Sequence, residues 1–170
     1  MPGYECDHLL PAPGERPMQE LGAAELLVAG ALRAWVAPLL APAGRHPDWR
    51  RYLALGGVVA EGAEAFDRLM RLLAHSARRS LDVRCCRCPG LSPDEAALLQ
   101  LTAAVQAGQS FAALDVLMDW LPEPALMPAL AAARDFGAAL QRAGAMLPAP
   151  ALAPPCALAT PSSLGPQTLH

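Results

Sequence analysis

The 170-residue sequence predicts an all-α protein: a compact bundle of about five helices with a cysteine-containing loop and a disordered Pro/Ala-rich C-terminal tail. Three observations lead there. Alanine makes up about a fifth of the chain, and it is the strongest helix former while filling little core volume, which favours helices in close contact. Aromatic residues amount to 5% and isoleucine is absent, so the β-branched and aromatic runs that strands require are missing. Apolar residues instead recur at steps of three and four, the helical period. The length suits one core, divided into an irregular N-terminal arm (1–16), a helical bundle domain (17–147) and the tail (148–170).

Gly and Pro breaks around Leu9 and Leu10 mark the arm. A first helix is expected from about Pro17, a residue tolerated in the first turn, to Pro38 or Leu40. Its stretch Leu26 to Leu40 is apolar nearly all round, but Glu25, Arg33 and Pro38 leave less than the roughly 20 uninterrupted apolar residues of a membrane span, so a buried central helix is expected. Next, Trp49, Tyr52, Gly56, Val59, Ala63, Phe66, Met70, Leu73 and Ala77 form one seam that predicts a single long second helix packed along the first. Glu64 with Arg68 and Asp67 with Arg71 have the i, i+4 spacing that supports a helix. A homodimer through this seam stays open.

The pattern stops after Arg79, and Ser80 to Leu91 reads as a loop. Ser92-Pro93-Asp94-Glu95 is a strong helix start: a cap, a proline at the first position and an acid three residues after the cap. Leu98, Leu101 and Val105 form that helix's apolar stripe and Gly108 its stop. Ser110 is expected to cap a short fourth helix with Phe111, Leu114, Leu117, Met118 and Leu121 inward. Pro124 or Pro128 opens the fifth, with Leu130, Ala133, Gly137 and Leu140 on its inner side and Gly144 at its end. Six prolines in the last 23 residues, with no Asp, Glu or Arg, define the tail.

Composition also bounds function. All 13 basic residues are arginine, so no lysine can form a Schiff base, a phosphate-loop contact or a kinase strand contact. Ala, Arg, Pro and Gly enrichment without lysine leads us to expect a GC-rich, bacterial coding sequence. The net charge of −3 conceals a basic middle, with nine arginines between Arg45 and Arg87, flanked by acidic ends; this total argues against nucleic acid as the partner. An odd number of cysteines, and an acidic start without a basic leader region, point to a reducing cytoplasm.

Cys85, Cys86 and Cys88 are the unusual local feature. Cys85-x-x-Cys88 can offer two thiolates to zinc or an iron–sulfur cluster, with Cys86 and His75 as further ligands and Cys6 or His8 as more distant ones. Cys88-Pro89 also matches a minimal dipeptide of thiolate haem sites. The same thiols, near Arg78, Arg79, Arg84 and Arg87, would suit a redox switch, since nearby cations favour thiolate. Arg68, Arg71, Arg78, Arg79, Arg84 and Arg87 form a candidate contact surface for an anionic group or partner. No nucleophile elbow, paired-His zinc motif or Gly-rich phosphate loop is present, and the element after Gly108 lacks the basic side chains of a DNA-reading helix. The expectation is a small non-catalytic bacterial interaction or regulatory protein with a protein partner; the alternative is metal binding or thiol switching through the cysteine loop.

Overall fold

A computed structural model describes residues 10, 11 and 13–148. The rest of the expected arm, including Cys6 and His8, and the expected tail after Pro148 lie outside the described residues. Among the described residues the protein is all-helical: a 3-10 turn at Met18–Glu20, then α1 (Ala23–Leu40), α2 (Trp49–Leu55), α3 (Ala60–Ser76), α4 (Pro93–Gln106), α5 (Ser110–Trp120) and α6 (Glu123–Arg142). The bundle predicted from alanine content and helical periodicity is present, with one more helix than counted.

The extra helix comes from the long seam, which breaks in two. Gly57 takes a left-handed conformation (φ 79°), which ends α2, and α3 starts at Ala60 behind Val59. Gly56 is needed for a second reason: a Cβ there would sit 2.3 Å from Leu27 Cδ2. Trp49, Ala63, Phe66, Met70 and Leu73 are buried as the seam predicts, whereas Tyr52 and Val59 face solvent and Leu53 joins Trp49 in the buried face of α2. The expected packing also changes. Of the two halves of the seam, the short α2 makes the main contact with α1, while α3 lies along α6. There Gly62 lets the helices approach so closely that a Cβ would meet Ala139 Cβ at 2.5 Å.

Other starts and stops follow the local signals. The 3-10 turn takes the residues after Pro17, and α1 begins behind Gly22, whose N–H donates to Glu25 Oε2 at 2.8 Å. Ser92 caps α4: Glu95 N–H donates to its hydroxyl (3.1 Å) and Ser92 N–H to Glu95 Oε2 (2.9 Å). Gly108 and Gly144 close α4 and α6 with φ of 71° and 76°. On α5 the inner face is corrected. Leu117 and Leu121 are buried, but Phe111 is 85% exposed and Met118 is exposed, because α5 turns Ala113, Leu117 and Trp120 inward. Ser110 does not cap its helix; its hydroxyl accepts from Arg134 of α6 at 2.6 Å.

The core centres on Phe66, Phe136, Trp120, Leu101, Leu117 and Leu140, with Phe66 stacked obliquely between Trp49 (5.6 Å) and Phe136 (5.0 Å). By length and composition α1 is apolar enough to cross a membrane. Val28, Ala29, Ala31, Leu32 and Ala34 nevertheless enter the core, and its two charged residues are buried and paired.

Candidate functional site: the clamped cysteine turn

The loop between α3 and α4 is long but tightly held, and α4 does most of the holding. Exposed N–H groups and the positive end of the helix dipole draw acids to a helix start, and α4 opens with two. Glu95 is buried at the centre of the first network. Arg33, the lone basic residue of α1, donates Nε to Glu95 Oε1 (2.7 Å) and Nη2 to Glu95 Oε2 (2.8 Å). Their side chains are 2% and 0% exposed. Arg33 also donates to the carbonyls of Cys88 and Gly90, each at 2.7 Å, and the Arg84 N–H donates to Glu95 Oε1 at 3.1 Å. The residue before Cys85 and the carbonyl of Cys88 are therefore tied to one buried ion pair.

Between those ties, Cys88 N–H donates to the Cys85 carbonyl (3.1 Å), closing a turn with Cys86 and Arg87 exposed at its corner. Cys85 and Cys88, both half-buried, face one another with their sulfurs 3.0 Å apart. Cys86 is a free, exposed thiol. The x-x spacing creates this arrangement: a four-residue turn brings its first and last side chains together and sends the middle two outward.

Asp94 builds the second network. Arg79 grips it through Nη1 to Oδ2 (2.9 Å) and Nη2 to Oδ1 (2.7 Å), Asp82 N–H donates at 2.7 Å, and Trp120 Nε1 donates at 3.1 Å. The Arg79 bonds hold the Asp94 carboxyl below the usual aspartate range, with the Asp82 N–H and the indole assisting. Asp94, with Asp119 of α5 on the other side, pushes the Arg79 guanidinium upward. A third tie comes from the N-terminal segment. Met18 N–H donates to the Pro89 carbonyl (2.7 Å) and Leu91 N–H to the Arg16 carbonyl (2.9 Å), an antiparallel contact between Pro17 and Gly90. Arg84 bonds Glu15 from the same segment. Burial pulls the Arg84 guanidinium down, but Glu15, Asp82 and Glu95 outweigh it and leave it above its ordinary value.

These contacts reassign the candidate residues. Among the described residues no three His, Cys, Asp or Glu side chains form a group able to hold a metal ion. The proposed set of Cys85, Cys86, Cys88 and His75 thus resolves into one pair of facing sulfurs, an outward thiol and an imidazole bonded along α3. His75 lies exposed on α3 and its Nδ1–H donates to the Arg71 carbonyl at 2.7 Å. The zinc, iron–sulfur and haem expectations receive no further ligand from the bundle.

The arginines are likewise largely engaged. Arg68 pairs with Asp135 of α6 (2.9 Å) rather than with Glu64, Arg71 pairs with Asp67 (2.9 Å) as its spacing predicted, and Arg79 bridges Asp94 and Asp119. Arg84 is held as above. Arg78 and Arg87 alone of the six have no carboxylate partner among the described residues, and Arg78 contributes its N–H to the Trp120 carbonyl at 2.8 Å. A continuous cationic stripe is therefore not what α3 and the loop present. Glu95 and Arg33 were missed as site residues; the signal was a single arginine in an otherwise apolar helix.

No family model, curated protein or solved structure matches the chain. The reading of its function rests on its own geometry.

Proposed function

We propose that the chain is a small non-catalytic regulatory protein switched by reversible oxidation of Cys85 and Cys88 to a disulfide. The observation that carries this reading is the facing of the two sulfurs in a turn whose ends are fixed to the Arg33–Glu95 pair. Preorganisation of this kind favours the intramolecular product, because neither thiol must search for its partner. With a hydroperoxide as oxidant, one thiolate attacks the peroxide oxygen, giving a sulfenic acid and releasing water or an alcohol. The second thiol then displaces the sulfenic oxygen as water and the S–S bond forms. Two thiols are oxidised, one peroxide is reduced, and a dithiol reductant reverses the step.

The reading places the protein in a reducing cytoplasm, where the dithiol is the resting form, and assigns the loop's altered surface to a protein partner. Cys86 and Arg87 at the corner of the turn are the groups such a partner would meet first. The test is peptide mapping of protein purified anaerobically, treated with one equivalent of hydrogen peroxide and alkylated. The expected product is a Cys85–Cys88 linkage that dithiothreitol removes and Cys85→Ser abolishes. Full alkylation of both cysteines after oxidation would overturn the switch, and stoichiometric zinc or iron in the untreated protein would return the metal reading to first place.

A further inference from the structure

Beside the cysteine turn the bundle holds an apolar pocket of about 350 Å³, within the size range of small-molecule sites. Leu32 and Trp35 of α1, Met70 and Leu73 of α3, and Leu81 and Val83 of the cysteine loop form its walls. Leu39, 60% exposed, and Leu40 stand at its edge.

The polar side chains on these walls decide the class of ligand. Arg79 and Asp94 neutralise one another through two hydrogen bonds, and Asp94 also takes the Asp82 N–H and the Trp120 indole N–H. The Trp35 indole donates outward to Asp67 at 2.8 Å. An ion entering the pocket would lose its hydration and gain no unpaired countercharge. Ser80, a neutral residue, is the remaining polar member of the lining.

The loop connects this pocket to the thiols. Asp82 N–H is fixed to Asp94 and Arg84 N–H to Glu95, and Val83 between them faces the pocket two residues before Cys85. We propose that this pocket binds a neutral, apolar small molecule of aromatic or short-acyl type, and that the thiol state of Cys85 and Cys88 sets its affinity by moving the Leu81–Val83 wall. The second half of this statement rests on the switch proposed above; the first half does not. Linkage makes the effect reciprocal: a ligand preferring one thiol state shifts the dithiol–disulfide equilibrium by the same factor.

The full-length protein is titrated with the neutral fluorophore N-phenyl-1-naphthylamine in the dithiothreitol-reduced and peroxide-oxidised states. Saturable one-to-one binding is expected, accompanied by a change in tryptophan emission, since Trp35 and Trp120 line the pocket. Ala74 lines the pocket from an exposed position on α3, so Ala74→Trp fills the space without entering the core, and should weaken binding about tenfold or more with helical content unchanged. Binding that never saturates, or that Ala74→Trp leaves unaltered, overturns the site. Affinity that falls as protein concentration rises also overturns it, by assigning the pocket to a second copy of the chain. Coupling predicts a difference of about fivefold or more between the two thiol states that vanishes in Cys85→Ser. Equal affinities in samples whose disulfide content is verified overturn the coupling. Absence of the disulfide itself overturns the switch and leaves the binding result standing.

Discussion

The two ends of α4 perform the same task with different chemistry. At its start, Asp94 and Glu95 gather guanidinium groups and backbone N–H groups from α1 and the cysteine loop and the indole N–H of Trp120. At its end, the neutral Gln106 side chain donates to the Ala145 carbonyl (2.8 Å) and accepts from Leu147 N–H (2.9 Å), fastening the segment after α6. The Gln106 carbonyl accepts from Gln141 Nε2 at 2.9 Å, and Gly137 leaves room for Val105. Charge at one end and amides at the other should make the cysteine-loop end sensitive to pH and the opposite end indifferent. The difference teaches that the structured loop is not merely a connection: it is held by a buried ion pair and a bidentate arginine–carboxylate pair.

The largest test of that contrast is removal of the buried pair. Glu95→Ala leaves Arg33 charged and without its carboxylate, and should cost about 3–5 kcal/mol in urea unfolding. Replacing both partners, Arg33→Met with Glu95→Leu, should recover much of that loss while releasing the cysteine turn, because the carbonyls of Cys88 and Gly90 lose their donor. Recovery of stability without altered thiol reactivity would mean that the pair holds the bundle but not the turn.

Acid provides the next test. The Asp94 carboxyl titrates below its ordinary value near 3.8, so its contribution is complete above that value and disappears as pH falls through the folded-state value. Asp94→Asn should therefore destabilise by about 1–2 kcal/mol at neutral pH, the half-exposed Arg79 limiting the loss, and the gap from wild type should close as the pH falls below that range. Glu25 keeps part of the acid sensitivity in the variant. Burial raises its carboxyl, but Arg16 at 2.5 Å and the Gly22 N–H overcome this and leave it lowered.

The smallest effect belongs to the neutral end. Gln106→Ala removes two side-chain bonds and should cost about 1 kcal/mol, equally at acidic and neutral pH and at low and high salt. A marked pH dependence in this variant would erase the distinction between the two ends.

Features specified within a few residues were legible in the sequence. The Ser92–Glu95 box and the glycine stops after α4 and α6 are local chemistry, and the Cys85-x-x-Cys88 spacing alone brings two sulfurs into one turn. The Gly56-Gly57 break was harder to read, since a glycine in an apolar seam also serves close helix packing, and Gly56 does exactly that against Leu27 while Gly57 ends the helix. Phe111 was misplaced because apolarity outweighed helical phase in reading a short element. Arg33 and Glu95 lie 62 residues apart, a partnership that periodicity cannot reveal without an alignment of contacts. The ion pairs of the arginines were hidden for a similar reason: the carboxylate partners Glu15, Asp94, Asp119 and Asp135 come from elsewhere in the chain.

The short antiparallel contact of Pro17 with Gly90 joins segments separated by α1, α2 and α3. Closing so long a stretch of chain is entropically costly and is rewarded here by few bonds, so this contact is expected to open more readily than the packed helices beneath it. The amides of Met18 and Leu91 are consequently natural reporters of hydrogen exchange at the cysteine end. Their protection measures how often that end opens while the packed helices beneath it remain closed.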